Sequence, residues 1–141
     1  VEDSWAALAK LQQQGKVRAV GLCNYDVSRL ERAEKVHHVD SLQPPFSLIK
    51  RAAGAAEIPW ALAHGTGVIA YSPMQSGLLT GSFTEARAAA LGKDDWRSRS
   101  PEFQSPRLQN NLALAEDVAR FSAELMAMPD YHFLGLPLAA E

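Results

Sequence analysis

The chain has 141 residues, with 14 Lys and Arg against 16 Asp and Glu, a formal net charge of -2 at pH 7 and 47% hydrophobic residues. With its cations dispersed and no basic stripe, it disfavours a nucleic-acid partner, which is held largely by counterion release from phosphates. No apolar run approaches the roughly 20 residues a membrane-spanning helix needs, and a lone cysteine, Cys23, excludes an internal disulfide framework and a thiolate zinc site.

In chain order, residues 4–14 carry helical spacing through Trp5, Leu8 and Leu11, and Gly15 stands where a helix commonly ends in the left-handed conformation. Residues 17–22 (VRAVGL) read as a strand buried on both faces, ended by Asn24. Asp26 is placed as an N-cap for a helix over 27–35, with Val27, Leu30 and Ala33 at three-residue spacing. The unit then repeats. Residues 39–43 (VDSLQ) read as a strand stopped by Pro44 and Pro45, which cannot donate to a ladder. A helix over 59–64 has Pro59 in its first turn and Gly65 just past its end, and 67–71 (GVIAY) form a third strand closed by Pro73. Strands alternating with helices at this spacing predict parallel βαβ units.

Beyond Pro73, residues 74–92 are rich in glycine and small residues, and 93–106 read as a polar loop. Helical periodicity returns over 107–125, with a wide apolar stripe that includes Leu108, Leu112 and Ala115 beside Leu114, Val118 and Phe121. Residues 126–141 show no clear period and read as an irregular tail. His37 and His38 are adjacent and would point in different directions, so no metal site is expected.

Three consecutive strand ends carry Asn24, Gln43 and Tyr71. Together with GKVRAVGLCN (15–24), LQPPFS (42–47), GVIAYSPMQSGLLTG (67–81) and DDWRSRSPEF (94–103), they make residues 1–125 closely resemble the aldo-keto reductase family. The resemblance implies part of an α/β (β/α)8 TIM barrel, about three parallel strands with flanking helices, that binds NADPH at the C-terminal ends of its strands and reduces small-molecule carbonyls. Polar residues at such strand ends are where this architecture carries its active sites. By match of position, Asn24 and Gln43 hydrogen-bond the nicotinamide carboxamide, whose one acceptor and two donor hydrogens suit two amide side chains. Tyr71 matches the aromatic residue stacked on the nicotinamide. Ser72, Pro73, Met74, Ser76, Gly77, Leu78 and Leu79 match the loop over the cofactor pyrophosphate, and Trp96 and Arg97 match a loop shaping the substrate pocket. Family members commonly have Ser where this chain has Cys23, a weaker donor, with no loss of binding expected.

The family's catalytic Asp, Tyr, Lys and His come from the first half of the barrel and would precede Val1. The Lys and Arg that grip the 2′-phosphate would follow Leu125. The chain therefore reads as a cofactor-site fragment of a cytoplasmic reductase, inactive alone and prone to self-association through unpaired sheet edges. Two other readings stay open. One is a non-catalytic cofactor-binding subunit resembling the β-subunits of voltage-gated potassium channels. The other is an independent flavodoxin-like domain, for which no glycine-rich strand-to-helix turn is present.

Overall fold

Three short parallel strands, β1 (Gly21–Cys23), β2 (Ser41–Gln43) and β3 (Gly67–Val68), form one sheet in the order β1-β2-β3. They belong to the first of two units into which the chain divides, Val1–Gln75 and a second that begins at Ser76. The computed structural model describes residues 1–127, so the tail expected over 126–141 lies, from 128 on, outside the described residues. The strand order runs without reversal, so this sheet has no switch point of the doubly wound kind.

Each strand is shorter than its apolar run suggests, for identifiable reasons. The Val20 N–H donates to the Asp40 carboxylate at 2.8 Å rather than to a neighbouring backbone, so the ladder starts at Gly21 and not at 17. Val17 and Arg18 are exposed. At the other end Pro44 and Pro45 have no N–H, and the pairing of β2 with β3 thins to an isolated bridge, Pro45 opposite Tyr71. The expectation of burial on both faces also fails. Gly21 and Cys23 are exposed while Val20 and Leu42 are buried, so one face is covered at β1 and β2, and at β3 both Val68 and Ile69 are exposed.

Helices α1 (Glu2–Gln13), α2 (Val27–Glu34) and α3 (Glu57–His64) supply that cover. Helix α1 has Glu2 and Asp3 in its first turn, where the helix dipole favours anions. It buries Trp5 and Ala9, an i,i+4 pair, and leaves Leu8 exposed, so the core-facing stripe is rotated from the one expected. The Trp5 indole donates to the His37 carbonyl at 2.8 Å, and Gln12 donates to Asp40 at 2.9 Å. Asp26 caps α2 as expected, accepting from the Arg29 N–H at 2.8 Å. Arg32 of α2 grips Glu2 through two bonds of 2.7 Å, and that hydrogen bonding holds the Glu2 carboxyl down at about 2. Gly15 and Gly65, both at φ 69°, follow α1 and α3 in the left-handed conformation that favours glycine. The core joins Trp5, Val20, Leu30, Ala33, Val39, Leu42, Trp60 and Ala61. Full burial of a leucine such as Leu30 or Leu42 stabilises by about 1.5–3 kcal/mol.

The second unit holds α4 (Glu85–Ala89) and α5 (Arg107–Met126). Helix α4 was not expected; Thr84 caps it, accepting from the Arg87 N–H at 3.1 Å. The segment read as a polar loop over 93–106 folds into two 3-10 turns, Trp96–Arg99 and Pro101–Phe103. Aromatic edges bind this unit: Phe83 meets Phe103 at 5.3 Å, and Trp96 meets Phe103 at 6.0 Å, both edge-on. Helix α5 buries Leu108, Asn111 and Ala115, whereas Phe121 is 64% exposed, so the wide stripe is covered only over its first half. Buried Asn111 is satisfied by the Glu102 carbonyl at 2.9 Å. Among the described residues no helix is long and apolar enough to cross a membrane.

Gly21 is the point where β1 and β2 lie closest. A Cβ there would stand 2.7 Å from the Ser41 carbonyl oxygen and closer still to the Ser41 hydroxyl. Gly21→Ala is expected to destabilise the chain by about 1–3 kcal/mol in urea unfolding followed by circular dichroism. Gly92→Ala, with nothing within 4 Å, should stay within about 0.5 kcal/mol of the parent. Equal stability of the two variants would show that the strands do not need the close approach.

Candidate functional site

Register decides what stands together at the C-terminal edge of the sheet. Cys23 pairs with Gln43 and Leu42 with Val68, so Asn24 is the first residue past β1 while Gln43 ends β2. Asn24 has a φ of 59°, a left-handed conformation that asparagine tolerates better than most residues, and this turns the chain off the sheet toward α2. Its N–H still donates to the Gln43 carbonyl at 3.3 Å. Across β2, the Tyr71 N–H donates to the Pro44 carbonyl at 3.1 Å, and the Tyr71 carbonyl accepts from Phe46 at 3.2 Å. The Tyr71 hydroxyl then donates to Asn24 Oδ1 at 3.0 Å. Strands β1 and β3 are two spacings apart, roughly 9–10 Å. The ring of Tyr71 therefore reaches over the end of β2. Asn24, Gln43 and Tyr71, distant in sequence, form one cluster in the first unit.

Asn24 and Gln43 are exposed and Tyr71 is half-buried, so all three can meet a ligand. Cys23 is exposed, because the side of β1 it faces carries no helix. A cavity of about 610 Å³ opens beside Asn24, lined among others by Asp26, Pro44, Pro45, Ile49 and Lys50; Gln43 and Tyr71 do not line it.

After Tyr71 the backbone is held in conformations that L residues rarely adopt. Ser72 has φ 54°, Gln75 46°, Ser76 53° and Gly77 104°. Such residues persist only where surroundings hold them, and they gather at ligand-binding segments. In the first unit the hold is visible. Gln75 is buried, its N–H donates to the Ser72 carbonyl at 2.9 Å, and its Oε1 accepts from the Ser47 hydroxyl at 3.3 Å. Ser47 in turn accepts from the Lys50 N–H at 2.8 Å and the Ile49 N–H at 3.2 Å. Ser47 and Gln75 lie within the strings 42–47 and 67–81, but their place in the sequence assigns neither a role, since nothing local shows that their side chains meet. Pro73 and Met74 lie exposed in the turn. In the second unit Ser76, Gly77 and Leu79 are half-buried and Leu78 is fully buried, so only the Leu78 backbone is available to a ligand.

The two residues matched to a substrate-pocket loop have local partners. Trp96 is 54% exposed with an edge on Phe103. Arg97 is engaged by Asp95, which it meets at 2.6 Å through Nη2 and at 3.0 Å through Nε. Among the described residues no group of three or more His, Cys, Asp or Glu is placed to hold a metal ion.

Parallel strands with flanking helices are the element pattern of an α/β barrel segment, and the chain belongs to the aldo/keto reductase family, whose family model matches residues 1–128. It is similar to the aldo-keto reductase YhdN of Bacillus subtilis (strain 168), 27% identical over 122 residues, covering 86% of this chain and 36% of that protein. Among solved structures it is similar to the glycerol dehydrogenase AKR11B4 from Gluconobacter oxydans, with a TM-score of 0.80 and 32% identity over 87% of this chain and 37% of that one. The sheet is thus part of a (β/α)8 fold, and the chain spans little more than a third of the length of these relatives.

The side-chain and backbone hydrogen bonds from Arg97 hold the Asp95 carboxyl at about 2, below its ordinary 3.8. A depressed carboxylate contributes order that is present above pH 3.8 and is lost as pH falls through about 2. Carboxyl-detected NMR titration is expected to give that low midpoint, and Arg97→Ala should return it toward 3.8. A low midpoint that survives the substitution would place its cause elsewhere.

Proposed function

We propose that this segment holds the nicotinamide end of NADPH in a carbonyl reductase. The observation that carries the reading is the meeting of Asn24, Gln43 and Tyr71 at three consecutive strand ends. Their donor set fits the group: two primary amides can satisfy both the acceptor and the donors of a carboxamide, and an aromatic ring beside them offers a stacking face. The choice of NADPH over NADH rests on the family resemblance alone.

When bound, the reduced nicotinamide supplies a hydride to the carbonyl carbon. Asn24 and Gln43 fix which face of the ring is turned outward, and Tyr71 restrains its tilt. The Ser47–Gln75 contact holds the segment after β3 in shape. A carbonyl substrate with a small polyol or alcohol product is in keeping with the glycerol dehydrogenase neighbour. None of the residues that the resemblance assigns to proton transfer matches a position in this chain, so alone it is not expected to turn over.

Fluorescence titration of the purified chain with NADPH should show saturable binding, with no aldehyde reduction above background. Tyr71→Ala should lose roughly 1–2 kcal/mol of affinity, about five- to thirty-fold, from lost ring burial and stacking. Unchanged affinity would remove Tyr71 from the site.

We also infer that the chain self-associates. The outer edges of β1 and β3 are unpaired among the described strands, and Ile69 is 56% and Leu62 84% exposed. Size-exclusion chromatography with light scattering should report dimers or larger species; a monodisperse monomer that unfolds cooperatively would overturn this.

A further inference from the structure

The cavity of about 610 Å³ beside Asn24 is not the place of the nicotinamide cluster, since neither Gln43 nor Tyr71 lines it. It lies wholly within the first unit, walled by the turn after β1 and by the segment that joins β2 to α3. Small-molecule sites commonly have volumes of about 300–1,000 Å³, and this one falls among them. Pro44, Pro45, Ile49 and Ala53 give it a carbon surface, and the two prolines have no N–H to offer a ligand. Pro44 and Ala53 are buried and Ile49 is half-buried.

The wall holds its shape without a ligand. Ser47 Oγ accepts from the Lys50 N–H at 2.8 Å, and the Ser47 N–H donates to the Lys50 carbonyl at 3.0 Å. The Gly54 N–H donates to the Arg51 carbonyl at 3.0 Å, and a Cβ on Gly54 would stand 3.1 Å from the Phe46 ring. Lys50 and Arg51 are thus carried on a segment closed by hydrogen bonds on either side of them.

Four charged side chains line the cavity, and they differ in what offsets their charge. Asp26 caps α2 through the Arg29 N–H at 2.8 Å and has the Arg29 guanidinium at 3.9 Å. Glu57 stands in the first turn of α3, where the helix dipole favours a negative charge. Among the described residues no carboxylate stands within ion-pair distance of Lys50 or Arg51. Both carboxylates are offset and both cations are free, so the cavity favours an anion.

We propose that this cavity is a second small-molecule site, for an organic carboxylate with an aromatic body. Arg51 and Lys50 take the carboxylate, Arg51 by its two-pronged guanidinium. The proline and isoleucine surface, with half-buried Tyr25 beside it, takes the apolar body. Each half is weak alone, because exposed ion pairs contribute little in water and bare carbon surface selects no charge. Together they distinguish an amphipathic acid from a neutral ring and from a bare anion. The site does not depend on the nicotinamide reading.

Calorimetric titration of the full chain would use three probes: 2-naphthoate, its uncharged counterpart 2-naphthamide, and inorganic phosphate. Saturable binding of 2-naphthoate is expected, with the other two at least about ten-fold weaker. Lys50→Gln and Arg51→Gln, both at exposed positions, should each weaken 2-naphthoate by about three- to ten-fold and leave 2-naphthamide unchanged. Ala52→Trp, at an exposed lining position, should obstruct the cavity and weaken both aromatic probes. Far-ultraviolet circular dichroism would check that each variant keeps the parent's helices, and if one does not, the other two decide. The proposal is overturned if the parent does not bind 2-naphthoate, or if 2-naphthamide or phosphate binds as tightly. It is equally overturned if 2-naphthoate binding survives the folded variants unchanged, since the probe would then lie elsewhere.

Discussion

The parallel contact between β1 and β2 carries the rest of the site. Gly21 lies against Ser41 with no room for a Cβ, which sets the register that pairs Cys23 with Gln43. From that register it follows that Asn24 emerges beside the end of β2 and still donates its N–H to Gln43. A slip by one residue would turn every side chain of β1 to the other face, taking Leu22 off the helices and Asn24 away from Tyr71. The Asp40 carboxylate guards the opposite end of the same contact, accepting from both Val20 and Gln12. One acidic side chain therefore fixes where the ladder begins and ties α1 to the sheet.

The prolines at 44 and 45 act at the functional end. Without N–H groups they cannot extend the ladder, and β3 runs on past its regular pairing to the bridge at Tyr71. That lets the tyrosine stand free enough of the sheet for its side chain to cross β2. The polar cluster thus comes from chain geometry that a longer, more regular sheet would have removed. The left-handed residues that follow, Ser72 and Gln75, are stabilised by Ser47, itself in the loop after β2. Strain in one loop is supported by a hydrogen bond from another.

The second unit shows a different balance. Its order rests on aromatic edges around Phe103 and on short caps from Thr84 and Asp95 rather than on a sheet. Helix α5 is long for the surface it covers, and its apolar stripe outruns the partners it has within the unit.

Much of this was legible from sequence, because local chemistry fixes it. Gly15 and Gly65 mark helix ends by their tolerance of positive φ, Asp26 caps α2 with its own carboxylate, and the alternation of short apolar runs with helices predicts parallel strands. The motifs around Asn24, Gln43 and Tyr71 carry the family, which the comparison with known proteins bears out. Periodicity, however, records what a segment is able to bury and not what is there to bury it. The exposed outer half of α5, the exposed Cys23 and the rotation of α1 onto Trp5 and Ala9 were therefore decided by neighbours far along the chain. The same holds for the bond from Tyr71 to Asn24, between residues 47 positions apart. The sequence determined which polar and aromatic residues stand at the strand ends, since their identity and local turn lie in adjacent bonds; only the tertiary structure decided which of them touch, since that distance depends on the register of two strand pairs at once.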